Sequence, residues 1–145
     1  MPRLATKKIL TTVIIKTETL PVMAEHDVVK ARQMVRQWAS EIGLSLVDQT
    51  KIITAASELA RNMVIYGGGG TMEIQSLEQY GRRGVKLVFE DKGPGIADIT
   101  QALKDGFTTG SGMGLGLGGA KRLSNEFEIE STPGQGTRIM IARWK

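Results

Sequence analysis

An apolar run ends on a carboxylate and two glycines. Before it, a helix-forming stretch carries a second carboxylate and an amide one turn apart. The run is Val85-Lys86-Leu87-Val88-Phe89, and it leads into Glu90-Asp91-Lys92-Gly93-Pro94-Gly95. The helical stretch holds Glu58-Leu59-Ala60-Arg61-Asn62. A nearly unbroken apolar strand belongs in the middle of a covered sheet, not at its rim. Glu58 and Asn62 share one helix face because residues four apart are neighbours on a helix. Leu59 and Met63 recur at buried spacing beside them, so this polar face lies at the edge of the core. A polar helix edge and a carboxylate at a strand end are thus both fixed against one core.

The rest of the chain supplies elements for such a fold. Residues 9–16 are rich in β-branched side chains and read as a strand. Asp27 is placed to cap a helix running to about Ile42, with Val28, Ala31, Val35, Trp38 and Ile42 as its buried stripe and Gly43 as its terminator. Asp48 opens a second helix to about Tyr66, with Ile52, Ala55, Ala56, Leu59 and Met63 inward. Gly67 to Gly70 end it in a turn. Residues 71–79 and 84–90 read as strands joined by Tyr80-Gly81-Arg82-Arg83. A short helix follows over about 96–104, then a glycine-rich loop, then a helix over about 115–125. Strands at about 126–132 and 136–144 close the chain around Pro133-Gly134-Gln135-Gly136. The order β-α-α-β-β-α-α-β-β predicts an α/β two-layer sandwich with helices on one face of a mixed β-sheet. No repeat or interdomain linker interrupts it. The 145 residues read as one domain, with 1–10 as a loose N-terminal extension.

The composition narrows the class. There is no cysteine, so disulfides and thiolate zinc sites are excluded and a reducing cytoplasm fits. Neither a signal-peptide core nor a run of about 20 apolar residues is present, which predicts no membrane partner. The net charge of +4 serves solubility, or attracts anionic ligands or an acidic partner. Nucleic acid is disfavoured, because aromatics make up only 5% and offer no stacking platform.

Particular side chains suggest chemistry. An Asn amide oxygen suits Mg²⁺, a hard cation that keeps several waters and binds phosphates, and a Glu one turn away suits a general base. Taken alone, the same pair also fits a solvated helix face. Asp91 stands at a strand end, where α/β sheets bind ligands. Its carboxylate fits an adenine amino donor, while Gly93 and Gly95 permit close approach of a flat ring. Asp-x-Gly-Pro-Gly is also good turn chemistry. Seven glycines lie between Gly106 and Gly119, with Thr108, Thr109 and Ser111 among them. Backbone amides in such a segment, ahead of a helix, make an anion site.

Familiar phosphate-binding fingerprints do not account for this segment. Gly114-Leu115-Gly116-Leu117-Gly118-Gly119 matches the dinucleotide pattern but lacks the strand that must immediately precede it. There is no Gly-Lys-Ser/Thr, and no His-Arg-Asp loop of protein kinases. His26 reads as a surface or capping residue. The seven methionines read as packing filler, Trp38 as core or partner surface, and Trp144 as a terminal residue that packs or frays.

Together the motifs resemble the Bergerat-type ATP-binding fold shared by gyrase, Hsp90, histidine kinases and MutL. Glu58-x-x-x-Asn62 looks like its N box. Asp91-x-Gly93-x-Gly95 and Gly112-Met113-Gly114-Leu115-Gly116-Leu117 look like its glycine boxes, and Gly136-Thr137 like its last adenine-side motif. Within that superfamily the chain resembles the RsbT-like, anti-sigma-factor-type serine/threonine switch kinases. The similar stretches are Asp48-Gln49, Ser57 to Asn62, Glu90 to Ile96, Asp105-Gly106-Phe107-x-Thr109 and Lys121-Arg122-Leu123. The resemblance implies ATP and Mg²⁺ as cofactors, with Asn62 on the metal, Glu58 as base and Arg61 beside the transferred charge. It implies Asp91 and Thr137 at adenine, with Gly95 against the ring, and a lid over Gly110, Gly112, Met113, Gly114, Leu115 and Gly116. Gly93, Ile96, Thr108, Thr109 and Lys121 complete the candidate nucleotide contacts. A STAS-domain scaffold or antagonist protein is the implied phosphorylation substrate. A downstream phosphatase or signalling enzyme is the next partner in a stressosome-type switch. Lys92 departs from the family pattern, which is neutral there.

Two other readings compete. In one, ATP only sets the conformation of an anti-sigma-like binding module with little turnover. In the other, the chain is a histidine-kinase catalytic domain or a gyrase-type ATPase, which its length disfavours.

Overall fold

The computed structural model describes residues 12–104 and 116–145. The chain forms β1 (Thr12–Val22), α1 (Glu25–Glu41), α2 (Leu46–Tyr66), β2 (Gly70–Gln79), β3 (Arg82–Asp91), α3 (Ile99–Ala102), α4 (Gly116–Arg122), β4 (Glu126–Thr132) and β5 (Gly136–Trp144). The expected element order and the α/β two-layer fold are present. The five strands lie in the order β1-β2-β3-β5-β4, so the apolar run is the middle strand, as its composition requires. The sheet is not mixed: every neighbouring pair is antiparallel. Tight hairpins join β2 to β3 and β4 to β5. The two-helix connection from β1 sets β2 antiparallel beside it. β3 and β4 run the same way, but β5 lies between them.

Helices α1 and α2 cover one face of the sheet. Val28, Ala31, Val35 and Trp38 from α1 and Ile52, Ala55, Ala56, Leu59 and Met63 from α2 are buried, together with Ile42 just beyond α1. They pack on Met72 and Ile74 of β2, Val85, Leu87 and Phe89 of β3, and Ile139 and Ile141 of β5. The two predicted helical stripes and the alternation of the central strand therefore form one core. Trp38 is a core residue, with the Lys16 ammonium 4.2 Å above its ring.

Helix starts differ from expectation. Asp27 does not cap α1; Ala24 does, and Asp27 occupies the third helical position. From there its carboxylate accepts from the amides of Met23 at 2.9 Å and Ala24 at 3.2 Å, the reaching-back half of a capping box. Helix α2 opens at Leu46, because Ser45 Oγ accepts from the Asp48 amide at 3.1 Å. Asp48 is thereby free for another use. Its Oδ1 accepts from Arg143 Nη2 at 2.8 Å, while Arg143 Nη1 donates to the Leu123 carbonyl at 3.1 Å. One guanidinium near the end of β5 thus holds the start of α2 and the segment after α4.

Other boundaries move for local reasons. β1 continues to Val22 through polar Lys16 to Thr19, which an edge strand tolerates because one side faces water. The β2–β3 turn needs only Tyr80 and Gly81, both at positive φ (53° and 77°). That pattern fits the right-handed twist of a hairpin, so Arg82 and Arg83 already belong to β3. α3 shrinks to four residues, because Asp98 caps it and the chain before it is held in a loop. Residues 9–11 of the expected first strand lie outside the described residues.

The Asp48 carboxyl is held below its ordinary value, chiefly by the Arg143 hydrogen bond. A carboxyl depressed in the folded state adds stability above its unfolded value, and loses it as pH falls through the folded one. Asp48→Asn should therefore unfold at lower urea at neutral pH. It should also lose less further stability than wild type between about pH 5 and about pH 3. Urea titrations at both pH values check this; identical acid slopes would remove the pair from the account.

Candidate nucleotide-binding site

A cavity of about 550 Å³ opens between the C-terminal half of α2, the ends of β3 and β5, and the loop and helices that follow β3. Its size suits a ligand of nucleotide class. From α2 it takes Glu58, Leu59, Asn62, Met63 and Tyr66, one face of the helix at spacings of three and four. Phe89 and Asp91 come from β3, and Thr137 and Ile139 from β5. Phe89 and Asp91 are two apart on one strand, as are Thr137 and Ile139, so each pair sits on the same sheet face. Asp91 and Thr137 are also directly opposite in the β3–β5 register. An acid and a hydroxyl therefore stand side by side above an apolar floor of Met63, Phe89 and Ile139.

Glycine backbones surround Asp91. A methyl group at Gly67 would lie 2.6 Å from the Asp91 carboxyl carbon. One at Gly93 would lie 2.6 Å from the Gly67 carbonyl oxygen. Side chains at Gly70 and Gly136 would run into the carbonyls of Glu90 and Asp91. Protein interiors have no room to absorb such contacts, so these four positions let the end of α2, β2 and β5 close on the end of β3. Asp91 Oδ1 accepts from the Gly93 amide at 2.9 Å, which orients the carboxylate and leaves its remaining lone pairs for the cavity.

The loop after Asp91 is held to the β4–β5 turn. The Gly134 amide donates to the Pro94 carbonyl at 2.7 Å, and the Ile96 amide donates to Ser131 Oγ at 2.7 Å. Gly95, at φ 75°, lies against the Thr132 carbonyl, where a side chain would collide. Gly93 and Gly95 thus serve approaches of backbone to backbone.

At the other end of the cavity, Glu58 and Asn62 share its α2 wall. The Glu58 side chain is only 12% exposed, and its Oε1 is 3.7 Å from Arg61 Nη1. Arg61 is 40% exposed and does not line the cavity. No group of three or more His, Cys, Asp or Glu side chains capable of holding a metal occurs among the described residues. One amide and one carboxylate suit Mg²⁺ held mainly by substrate phosphates and water, the usual manner for that ion.

Seven candidate residues line the cavity: Glu58, Asn62, Asp91, Gly95, Ile96, Gly116 and Thr137. Gly93 stands behind Asp91. Lys121 on α4 and Lys92 in its loop are exposed and do not line the cavity. Thr108, Thr109, Gly110, Gly112, Met113, Gly114 and Leu115 lie outside the described residues. The sequence reading missed Tyr66, Phe89, Ile139, Asp98 and Gln101 as lining residues. Period-two alternation from Asp91 and Thr137 identifies Phe89 and Ile139. Asp98 and Gln101 carried a capping signal, since Asp98 Oδ1 accepts from the Gln101 amide at 3.0 Å.

Comparison with known proteins agrees with this architecture. Residues 47–145 match the family described as histidine kinase-, DNA gyrase B-, and HSP90-like ATPase. The chain belongs to this ATPase family, and within it to the RsbT-like, ATP-dependent protein serine/threonine kinases. It is 47% identical over 123 residues to the serine/threonine-protein kinase RsbT of Bacillus subtilis, covering 85% of this chain and 92% of that protein. It is 31% identical over 119 residues to an anti-sigma F factor of Thermoanaerobacter sp. (strain X514), covering 79% and 82%. A crystal structure of the RsbU and RsbW domains of Rv1364c from Mycobacterium tuberculosis shares the fold, with a TM-score of 0.61 and 19% identity. That match covers 90% of this chain and a third (33%) of the other. Among the described residues no helix is long and apolar enough to cross a membrane.

Gly67 has ordinary helical backbone angles (φ −96°), so Gly67→Ala acts only through its new methyl group. Overpacking of this kind costs about 1–3 kcal/mol, and here it falls first on the Asp91 carboxylate and then on the Met63 carbonyl. ATP affinity is expected to drop by roughly tenfold or more in a protein that still melts cooperatively. Calorimetric titration with ATP, beside a thermal melt, checks this. Unchanged affinity would show that the Asp91 orientation does not depend on the glycine contact.

Proposed function

We propose that the chain transfers the ATP γ-phosphoryl group to a serine or threonine of a STAS-domain scaffold or antagonist protein. It then changes partner, to a downstream phosphatase or signalling enzyme. The observation that carries this reading is the placement of Glu58 and Asn62 in the same cavity as Asp91 and Thr137. One cavity then offers an adenine-type pair and a phosphate-type pair to a single ligand, with a carboxylate in each. The RsbT likeness supports the choice of protein substrate and the partner exchange.

In this mechanism Asp91 accepts the adenine amino group and Thr137 supplies a second polar contact. Met63, Phe89 and Ile139 exclude water from the ring. Asn62 is the residue that would hold Mg²⁺, which supplies charge neutralisation at the phosphate oxygens when bound. Glu58 takes the proton of the incoming hydroxyl. The hydroxyl oxygen bonds to the γ-phosphorus, the bond to the β,γ-bridging oxygen breaks, and ADP leaves. Arg61 places positive charge beside the base, where the transferred group carries negative charge. The acceptor hydroxyl comes from another protein. ADP and ATP differ only at the Glu58 end, so adenine recognition holds either nucleotide.

A binding module gated by ATP is the second reading. The anti-sigma F factor likeness favours it. Phosphotransfer separates the two. With radiolabelled Mg-ATP and a purified STAS-domain protein, the wild type should label one Ser or Thr. Glu58→Gln should bind ATP normally but transfer about 10²- to 10⁴-fold more slowly, the usual worth of a general base. Wild-type turnover in Glu58→Gln would refute the base assignment. ATP-dependent partner binding without labelling by the wild type would favour the second reading.

A further inference from the structure

Ser131 lies outside the cavity wall but touches three groups that shape it. Its Oγ accepts from the Ile96 amide at 2.7 Å. It is 3.1 Å from the Gly136 carbonyl oxygen, to which it can donate. It is 2.8 Å from Thr137 Oγ1, with either oxygen able to donate. A serine hydroxyl has one proton and two lone pairs. One lone pair is taken by Ile96. The remaining proton can satisfy Gly136 or Thr137, but not both.

The choice sets what Thr137 presents to a ligand. If Ser131 donates to Gly136, Thr137 must donate to Ser131, and its lone pairs face the cavity as an acceptor. If Ser131 donates to Thr137, the Thr137 proton turns into the cavity as a donor. In the first arrangement all three contacts of Ser131 are used, each as a hydrogen bond with a proton of its own. In the second, the 3.1 Å contact to the Gly136 carbonyl carries no proton. The second arrangement thus forgoes one part-buried hydrogen bond, which is unfavourable. We infer that Ser131 is a positioning and specificity-determining residue, which fixes Thr137 as a hydrogen-bond acceptor and so selects a purine with an amino group over one with a carbonyl at that edge. Thr137 then matches Asp91, its partner across the strands, which is also an acceptor. Two acceptors side by side complement a donor, directly or through one water, and repel a carbonyl oxygen. The Ile96 contact adds that the same hydroxyl holds the loop carrying Gly95 and Ile96 in place.

This inference rests on the adenine reading of Asp91 and Thr137. The test measures dissociation constants for ATP and ITP, which carries a carbonyl where ATP has its amino group. Wild type, Ser131→Ala and Ser131→Thr are compared, with a thermal melt of each. Wild type should prefer ATP. In Ser131→Ala the Thr137 hydroxyl rotates freely. ATP affinity should fall by about tenfold, the worth of one hydrogen bond of about 1.4 kcal/mol. ITP affinity should fall far less, so the preference shrinks. Ser131→Thr keeps the hydroxyl and should restore the preference. Equal losses for ATP and ITP in Ser131→Ala would show a mere loop staple and overturn the inference. So would a Ser131→Thr protein that discriminates no better than the alanine variant. A wild type with no preference for ATP would sink the adenine reading itself, and the inference with it. Should Ser131→Ala fail to melt cooperatively, Ser131→Thr and Ser131→Cys decide: cysteine, a weak donor, must lose preference while threonine keeps it.

Discussion

The closure of backbone on backbone around Asp91 is the contact on which the site depends. Gly67 ends α2, Gly70 opens β2, Gly93 follows β3 and Gly136 opens β5. Each lies where a side chain would strike its neighbour. With four glycines there, the helix bearing Glu58 and Asn62 ends directly against the strand bearing Asp91. The two ends of the cavity then belong to one rigid body, because close-packed interiors transmit displacement and do not absorb it. Side chains at Gly67 or Gly93 would press the end of α2 and the end of β3 apart, and one at Gly136 would press β5 from the end of β3.

The other end of α2 is held by different means. Ser45 caps its first turn, and Arg143 joins Asp48 to the Leu123 carbonyl. A single ion pair, here partly buried, adds only modest stability by itself. Its value is geometric, because a planar guanidinium fixes direction as well as distance. It orients the helix that carries the polar residues and the segment that leaves α4. The buried stripe of Ile52, Ala55, Ala56, Leu59 and Met63 does the rest, pressing α2 to the sheet along its length.

Much of this was legible because period and chemistry coincide in the sequence. Apolar residues three and four apart placed the inward faces of α1 and α2. The unbroken run Val85 to Phe89 placed β3 in the middle of the sheet. Glu58 and Asn62 were readable as one face, and Asp91 as a strand end, since those facts are local. What was not legible depends on distant residues. Asp48 looked like a helix cap, yet its partner Arg143 stands far along the chain. Asp27 looked like the first cap, yet it reaches back from the third helical position. The wholly antiparallel sheet follows from β5 inserting between β3 and β4, which no local pattern encodes. Gly93 and Gly95 were readable as room for a ring, but not as the places where the Gly67 and Thr132 backbones close in.

The same division between local and distant explains how recognition is built. Asp91 alone is an acceptor that any donor-bearing ligand satisfies. Thr137 is brought beside it only by strand pairing, and the Thr137 hydroxyl meets Ser131 only because the β4–β5 hairpin folds back under the loop after β3. A polar group free to rotate complements donors and acceptors alike. One whose proton is already committed discriminates, because the wrong partner leaves a desolvated group unpaired. On the proposed reading, selectivity in this cavity resides less in the residues that face the ligand than in the hydrogen bonds that remove their freedom. For Asp91 the bond comes from the Gly93 amide, and for Thr137 from the Ser131 hydroxyl, which the Ile96 amide and the Gly136 carbonyl hold in turn. On the proposed reading, nucleotide choice is thus tied to the packing of the β4–β5 turn, while Glu58 stands further back along the C-terminal half of a helix held at both termini.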